Sequence, residues 1–154
     1  MLNYYDLGND YCRCSAIQAK KDEYFKRYNF GIEQEEKLKT KLEDFFNVDL
    51  IQKDRYAPFD FFSNNGDLQL ELKSRKCKSN TYPTTLINKS KLGKVGDVET
   101  YFIFNFLDGV YYIKYDEKVF NTFKETETYT KNCDFSKGKR INIEIPVNLL
   151  LPLN

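Results

Sequence analysis

Apolar side chains recur near helical spacing at Ile32, Leu38, Leu42, Phe45 and Phe46, just after Gly31, which predicts an amphipathic helix beginning there. Ser15 is placed to cap a shorter preceding helix, from Ala16 to about Tyr28. Beyond Asn47 the period shortens. Val48 to Ile51, Phe59 to Phe62 and Asp67 to Ser74 read as strands, and Asn64-Asn65-Gly66 between the last two reads as a hairpin turn. After a polar stretch, Thr85 to about Leu92 suits a short helix. Thr100 to Phe106 and Val110 to Tyr115 flank Asp108-Gly109 as a second hairpin, Glu117 to Lys131 fits helix or strand, and Arg140 to Ile145 alternates like a strand up to Pro146. The expected class is α/β or α+β with a mixed central sheet. No repeat or linker divides the 154 residues, so one domain, 1–154, is expected.

Composition narrows the chemistry. Lys and Arg number 24 against 23 Asp and Glu, so any affinity for a polyanion has to come from a local patch. The absence of histidine removes the usual neutral-pH base and the commonest zinc ligand, and with them serine or cysteine triads and histidine-based metal hydrolases. Cys12-Arg-Cys14 has no matching Cys pair among Cys77 and Cys133, so reduced thiols are the expectation over a zinc site. No apolar window reaches membrane-span length and the N-terminus has no basic start followed by an apolar core. A cytoplasmic, intracellular protein is expected. Abundant Lys, Asn, Tyr, Phe and Ile with only 7 Gly fits an AT-rich coding genome such as a phage, a virus or a mobile element.

In Leu68-Gln69-Leu70-Glu71-Leu72-Lys73 the leucines share one strand face, and Gln69, Glu71 and Lys73 share the other. Asp60 lies across the hairpin turn, so its carboxylate can converge on that of Glu71 when the register allows. Two hard oxygen ligands beside an ammonium suit Mg²⁺, which polarises a phosphoryl oxygen and activates water without histidine. From Lys73 to Lys94 the basic residues Lys73, Arg75, Lys76, Lys78, Lys89, Lys91 and Lys94 occur with no acid among them, a phosphate-binding patch beside that pair. Lys89 and Lys91 cannot share one helix face, and Lys89 is the preferred member. Tyr82, among polar and basic neighbours, is the aromatic suited to stacking on nucleic acid.

Pro58-Phe59-Asp60 followed by Glu71-Leu72-Lys73 resembles the PD-(D/E)XK nuclease superfamily, the restriction-endonuclease-like fold, with a Phe inserted between Pro58 and Asp60. Gly31 to Leu38 with Leu42 is similar to the opening helix of archaeal Holliday-junction resolvases. The resemblance implies an αβββαβ core from about 31 to 115. It implies Asp60, Glu71, the Leu72 carbonyl and a helix glutamate as ligands of Mg²⁺, with Mn²⁺ as substitute, and Lys73 as the catalytic lysine. Glu35 is the first choice for the glutamate, ahead of Glu36 and Glu33. Glu35-Glu-Lys37 and Asp116-Glu-Lys118 repeat the short motif without the strand context.

The expected activity is metal-dependent DNA endonuclease action, of restriction, homing or junction-resolving type. One such constellation per chain makes a homodimer the natural arrangement for cutting both strands. The competing readings are a non-catalytic nucleic-acid-binding or protein-interaction module on the same fold, and a surface ion pair on a half-exposed sheet in which Asp60, Glu71 and Lys73 are merely neighbours. For the basic run the counterpart is a solvated loop, and for Tyr101 to Phe106 and Tyr111 to Tyr115 it is sheet packing.

Overall fold

The computed structural model describes residues 4–54, 56–131 and 137–154, and the side chains of 17–54, 56–129 and 138–154. Cys12, Cys14 and Cys133 lie outside the described side chains; Cys77 is a half-buried free thiol.

A single helix, α1 (Tyr4–Phe46), opens the chain. It replaces the two helices expected from Ser15 and Gly31, because neither residue is a strong enough breaker without a proline beside it. A helical glycine costs only about 1 kcal/mol against alanine. At Gly31 a side chain would meet nothing within 4 Å, so no packing requirement explains the glycine. The helix stops at Asn47, whose φ of 52° is the left-handed conformation that asparagine tolerates and that ends helices.

Strands β1 (Leu50–Gln52), β2 (Phe61–Ser63) and β3 (Leu68–Ser74) follow as an antiparallel meander. Gly66, at φ 77°, makes the β2–β3 turn and donates its N–H to the Ser63 carbonyl. The stretch expected as a helix from Thr85 is instead strand β4 (Thr84–Asn88) and a 3-10 helix, Lys89–Lys94. Thr84, Thr85 and Ile87 are β-branched and lose χ1 freedom in a helix, and β4 finds a strand partner. The Asn88 side chain then accepts the Ser90 N–H at 2.9 Å and caps the turn.

Next come β5 (Glu99–Phe106), β6 (Gly109–Lys114), the one-turn helix α2 (Glu117–Phe120), β7 (Glu125–Lys131), β8 (Lys137–Pro146) and β9 (Leu151–Pro152). The ambiguous segment 117–131 thus divides into a helical turn and a strand. A six-stranded sheet has the order β1-β2-β3-β5-β6-β9, with β3 and β5 parallel and the other neighbours antiparallel. A second, antiparallel sheet has the order β4-β8-β7. The fold is therefore mixed α/β with a mixed central sheet.

The central sheet is covered on both faces. Leu42 of α1 packs with Leu50, Phe61, Leu68, Leu70 and Leu72 on one side. On the other, Phe59, Phe102 and Phe104 pack with Ile87, Ile143 and Ile145 of the second sheet. Parallel strands in a sheet interior are normally buried in this way. Among the described residues no helix is long and apolar enough to cross a membrane.

Candidate functional site

The β2–β3 register pairs Phe61 with Leu70 and Phe62 with Gln69. Continued one step, it sets Asp60 opposite Glu71. Asp60 donates its backbone N–H to the Leu70 carbonyl at 3.0 Å, and its Oδ2 accepts the Leu72 N–H at 2.8 Å. Because the second layer covers that face of β3, Gln69 is 3% exposed and Glu71 0%. The polar face expected at the surface is thus in the interior. That burial rules out the half-exposed ion pair as a description of Glu71. A buried carboxylate is costly unless charge and hydrogen bonds compensate it.

Two lysines compensate Glu71. Lys73 Nζ lies 2.5 Å from its Oε1, and Lys91 Nζ lies 3.0 Å from its Oε2. Lys91 also donates to the Pro58 carbonyl and sits 5.7 Å from the centre of the Phe59 ring. It ties the Pro58-Phe59-Asp60 segment to Glu71 from outside. Lys73 is close to Oε1 without hydrogen-bond alignment, and that oxygen is buried with no hydrogen-bond partner.

Glu35 approaches from α1 and accepts from Gln52 Nε2 of β1 at 3.0 Å. Burial raises its pKa; the Gln52 hydrogen bond opposes this, and the Glu71 charge adds to it. Glu33 and Glu36 are exposed. Asp60 is perturbed most. Desolvation first, and the Glu71 charge second, push its carboxyl from 3.8 up to about 7, against the pull of the Leu72 N–H. Asp60, Glu71, Glu35 and Lys73 therefore form one electrostatic unit.

The basic run divides. Lys91 faces Glu71, whereas Lys89, preferred from the sequence, pairs with Glu125 on an exposed surface. Helix-face geometry does not apply here, because the segment is a strand leading into a 3-10 helix, and two residues on the chain has turned inward. Arg75 is not a free phosphate contact: its guanidinium donates to the Leu86 carbonyl, and Nε lies 3.4 Å from Thr85 Oγ1. Lys76 lies 4.6 Å from the Phe30 ring centre. Lys78 and Tyr82 are exposed and line a cavity beside Arg75. Gln52, and Asn105 with its bonds to Gln34 and Ser74, were not legible, since long-range amide pairs leave no local pattern.

The donor set suits a hard divalent cation. Oε1 of Glu71 makes no hydrogen bond although Lys73 Nζ lies against it, and at Asp60 desolvation and the Glu71 charge outweigh the Leu72 N–H and the Lys73 charge. Among the described residues no three His, Cys, Asp or Glu side chains stand together at metal-holding geometry, so a carbonyl and water would complete such a site. No protein-family model, curated protein or solved structure matches the chain.

Proposed function

We propose that this protein is a metal-dependent endodeoxyribonuclease, a phosphodiester hydrolase using Mg²⁺, or Mn²⁺ in its place. The observation that carries the reading is Glu71, fully buried beside Asp60 and bracketed by Lys73 and Lys91. A structural core has little use for two acids and two lysines gathered at one largely buried site, and the raised pKa of Asp60 there suits catalysis. The run of one helix, three antiparallel strands and a strand parallel to β3 supports a restriction-endonuclease-like core. Its departure is the crossover, which holds β4 and a 3-10 helix where that family's pattern has a helix.

Asp60, Glu71, the Leu72 carbonyl and water would hold the cation, and Glu35, held beside them by Gln52, would act on it through that water. When bound, it supplies Lewis-acid stabilisation of a phosphorane-like charge and a water ionised near neutral pH. Lys73 lies at the Glu71 carboxylate, positioned to orient water and to neutralise charge developing on phosphorus. Lys91 holds Pro58 and Glu71 together and fixes the separation of the two acids. Gln52 orients Glu35. With one such site per chain, cleavage of both strands of a duplex calls for a homodimer or two successive events.

A second reading draws on the same geometry. Glu71 is engaged by two ammonium groups, as it would be in a non-catalytic module that binds nucleic acid through its basic segment. A time course on supercoiled plasmid and a four-way junction in Mg²⁺, Mn²⁺ or EDTA separates the two. Metal-dependent cutting lost in Lys73→Ala and Glu71→Ala supports the nuclease. Binding without cutting, unchanged in both variants, supports the module.

A further inference from the structure

A cavity of about 450 Å³ opens on the same side of the central sheet as Glu71, lined in part by Arg75, two residues beyond Lys73. Its walls are the apolar side chains of Leu86, Phe106 and Val147. Hydroxyls of Ser79 and of threonines also line it, and its charged groups are the half-buried Arg75 guanidinium, which keeps donors beyond those given to Thr85 and Leu86, and the Glu144 carboxylate, which accepts from Thr126 Oγ1 and lies 3.8 Å from Lys124 Nζ. Tyr82, 64% exposed, stands at the mouth with Lys78. Ligand sites have this make-up, an apolar chamber with a few convergent polar groups.

Its position narrows the occupant. Arg75 follows Lys73 by two residues on the same side of the strand, about 7 Å along an extended chain. Whatever places a phosphate at the partly exposed Lys73 therefore brings its next group to this cavity. The chamber is large enough for one flat heterocycle. Arg75 offers donors and Glu144 an acceptor, the complement of a base's pairing edge, while Tyr82 offers a ring face and Lys78 a cation for the neighbouring phosphate.

We propose that this cavity receives a single unpaired nucleobase of the DNA strand whose phosphate lies at Lys73. The inference rests on the phosphodiesterase reading for the phosphate's place, and deepens it. The enzyme would select DNA in which a base is already unstacked: a mismatch, a bulge, a branch point or a single strand. A base still in the duplex first has to be unpaired, at a cost of a few kcal/mol.

The test is equilibrium binding in EDTA, so that cutting plays no part, to duplexes carrying 2-aminopurine either paired or opposite an abasic site. Wild type is expected to bind the unpaired form at least tenfold more tightly and to change its fluorescence. Tyr82→Ala, at an exposed position, should lower that preference about tenfold. Leu86→Trp, which fills the chamber, should abolish it, with circular dichroism showing whether the variant is folded. Equal affinity for both duplexes, or a preference untouched by Tyr82→Ala, overturns the proposal. Cutting in Mg²⁺ measured alongside keeps the two ideas apart. A protein that cuts but shows no preference loses the pocket and keeps the nuclease; one that prefers the unpaired base and never cuts keeps the pocket and loses the nuclease.

Discussion

Replacing Asp60 with asparagine should make the metal-free protein more stable at pH 8, although it removes half of the carboxylate pair. The folded protein raises this carboxyl from 3.8 to about 7, by desolvation and then by the Glu71 charge. Between those values the folded state holds a proton that the unfolded chain has released. Its contribution is therefore fully present below the unfolded pKa and is lost as pH rises through about 7. About three pH units separate the two values, so the ionised carboxylate costs the folded state up to about 4 kcal/mol. Asp60 is partly reached by solvent, which brings the expectation to roughly 2–4 kcal/mol. The asparagine side chain would keep an amide oxygen to accept the Leu72 N–H and would carry no charge at any pH.

In EDTA, thermal melts should show Asp60→Asn above wild type at pH 8 by roughly 4–16 °C, since for a chain of this size each kcal/mol moves the midpoint by about 2–4 °C. At pH 4 the difference should nearly vanish. Saturating Mg²⁺ should reverse the order at pH 8. At a thousandfold excess over Kd the wild type gains about 4.1 kcal/mol and the variant gains nothing. The wild-type gain should also grow from pH 6 to 8, because the cation competes with the Asp60 proton. A variant no more stable than wild type at pH 8, or one whose advantage is the same at pH 4, refutes the argument from burial and charge.

Three further outcomes follow from the same geometry. Lys91→Met should destabilise the fold by about 3–5 kcal/mol in urea denaturation, because it strips a fully buried carboxylate of one of its two cations. Lys89→Met should cost at most about 1 kcal/mol, its pair with Glu125 being exposed. Gly31→Ala should stabilise by about 0.5–1 kcal/mol, as an added methyl meets nothing within 4 Å in the middle of a helix; a loss would mean that the glycine serves a contact absent from the monomer. Glu35→Gln should weaken the Mg²⁺-dependent rise in melting temperature, whereas Glu33→Gln, on the exposed face, should leave it unchanged.

What can be read from the sequence is the part written in local alternation. Leucines at 68, 70 and 72 imply that Glu71 and Lys73 share a face, and the Asn-Gly turn implies that Asp60 comes back toward them; the register that sets Asp60 opposite Glu71, open in the sequence, is fixed by pairing Phe61 with Leu70. What lies on top of that face is not written there. Glu71 is buried because β4, β8 and the 3-10 helix cover it, and those elements are distant from it along the chain. Thr85 to Leu92 misleads for the same reason. The segment alone suits a short helix, while the strand is selected by β8, which pairs Ile87 with Ile143.

The strand found where the sequence predicts a helix also decides between the two lysines. On a helix, Lys89 and Lys91 differ by about 200°, so only one can face the site, and Lys89 is the one preferred from the sequence. On a strand that ends at Asn88 and turns over a capped 3-10 step, Lys89 remains on the outer surface with Glu125 and Lys91 comes round to the inner one. A buried acid selects among nearby cations by reach, and reach belongs to the tertiary fold. Local alternation puts Glu71 and Lys73 on one face, while the burial of the acid and the second cation that compensates it come from the tertiary fold. The two variants accordingly probe different things. One at Asp60 tests the electrostatics of the acid pair, whereas one at Lys91 tests the crossover that brings its ammonium to Glu71.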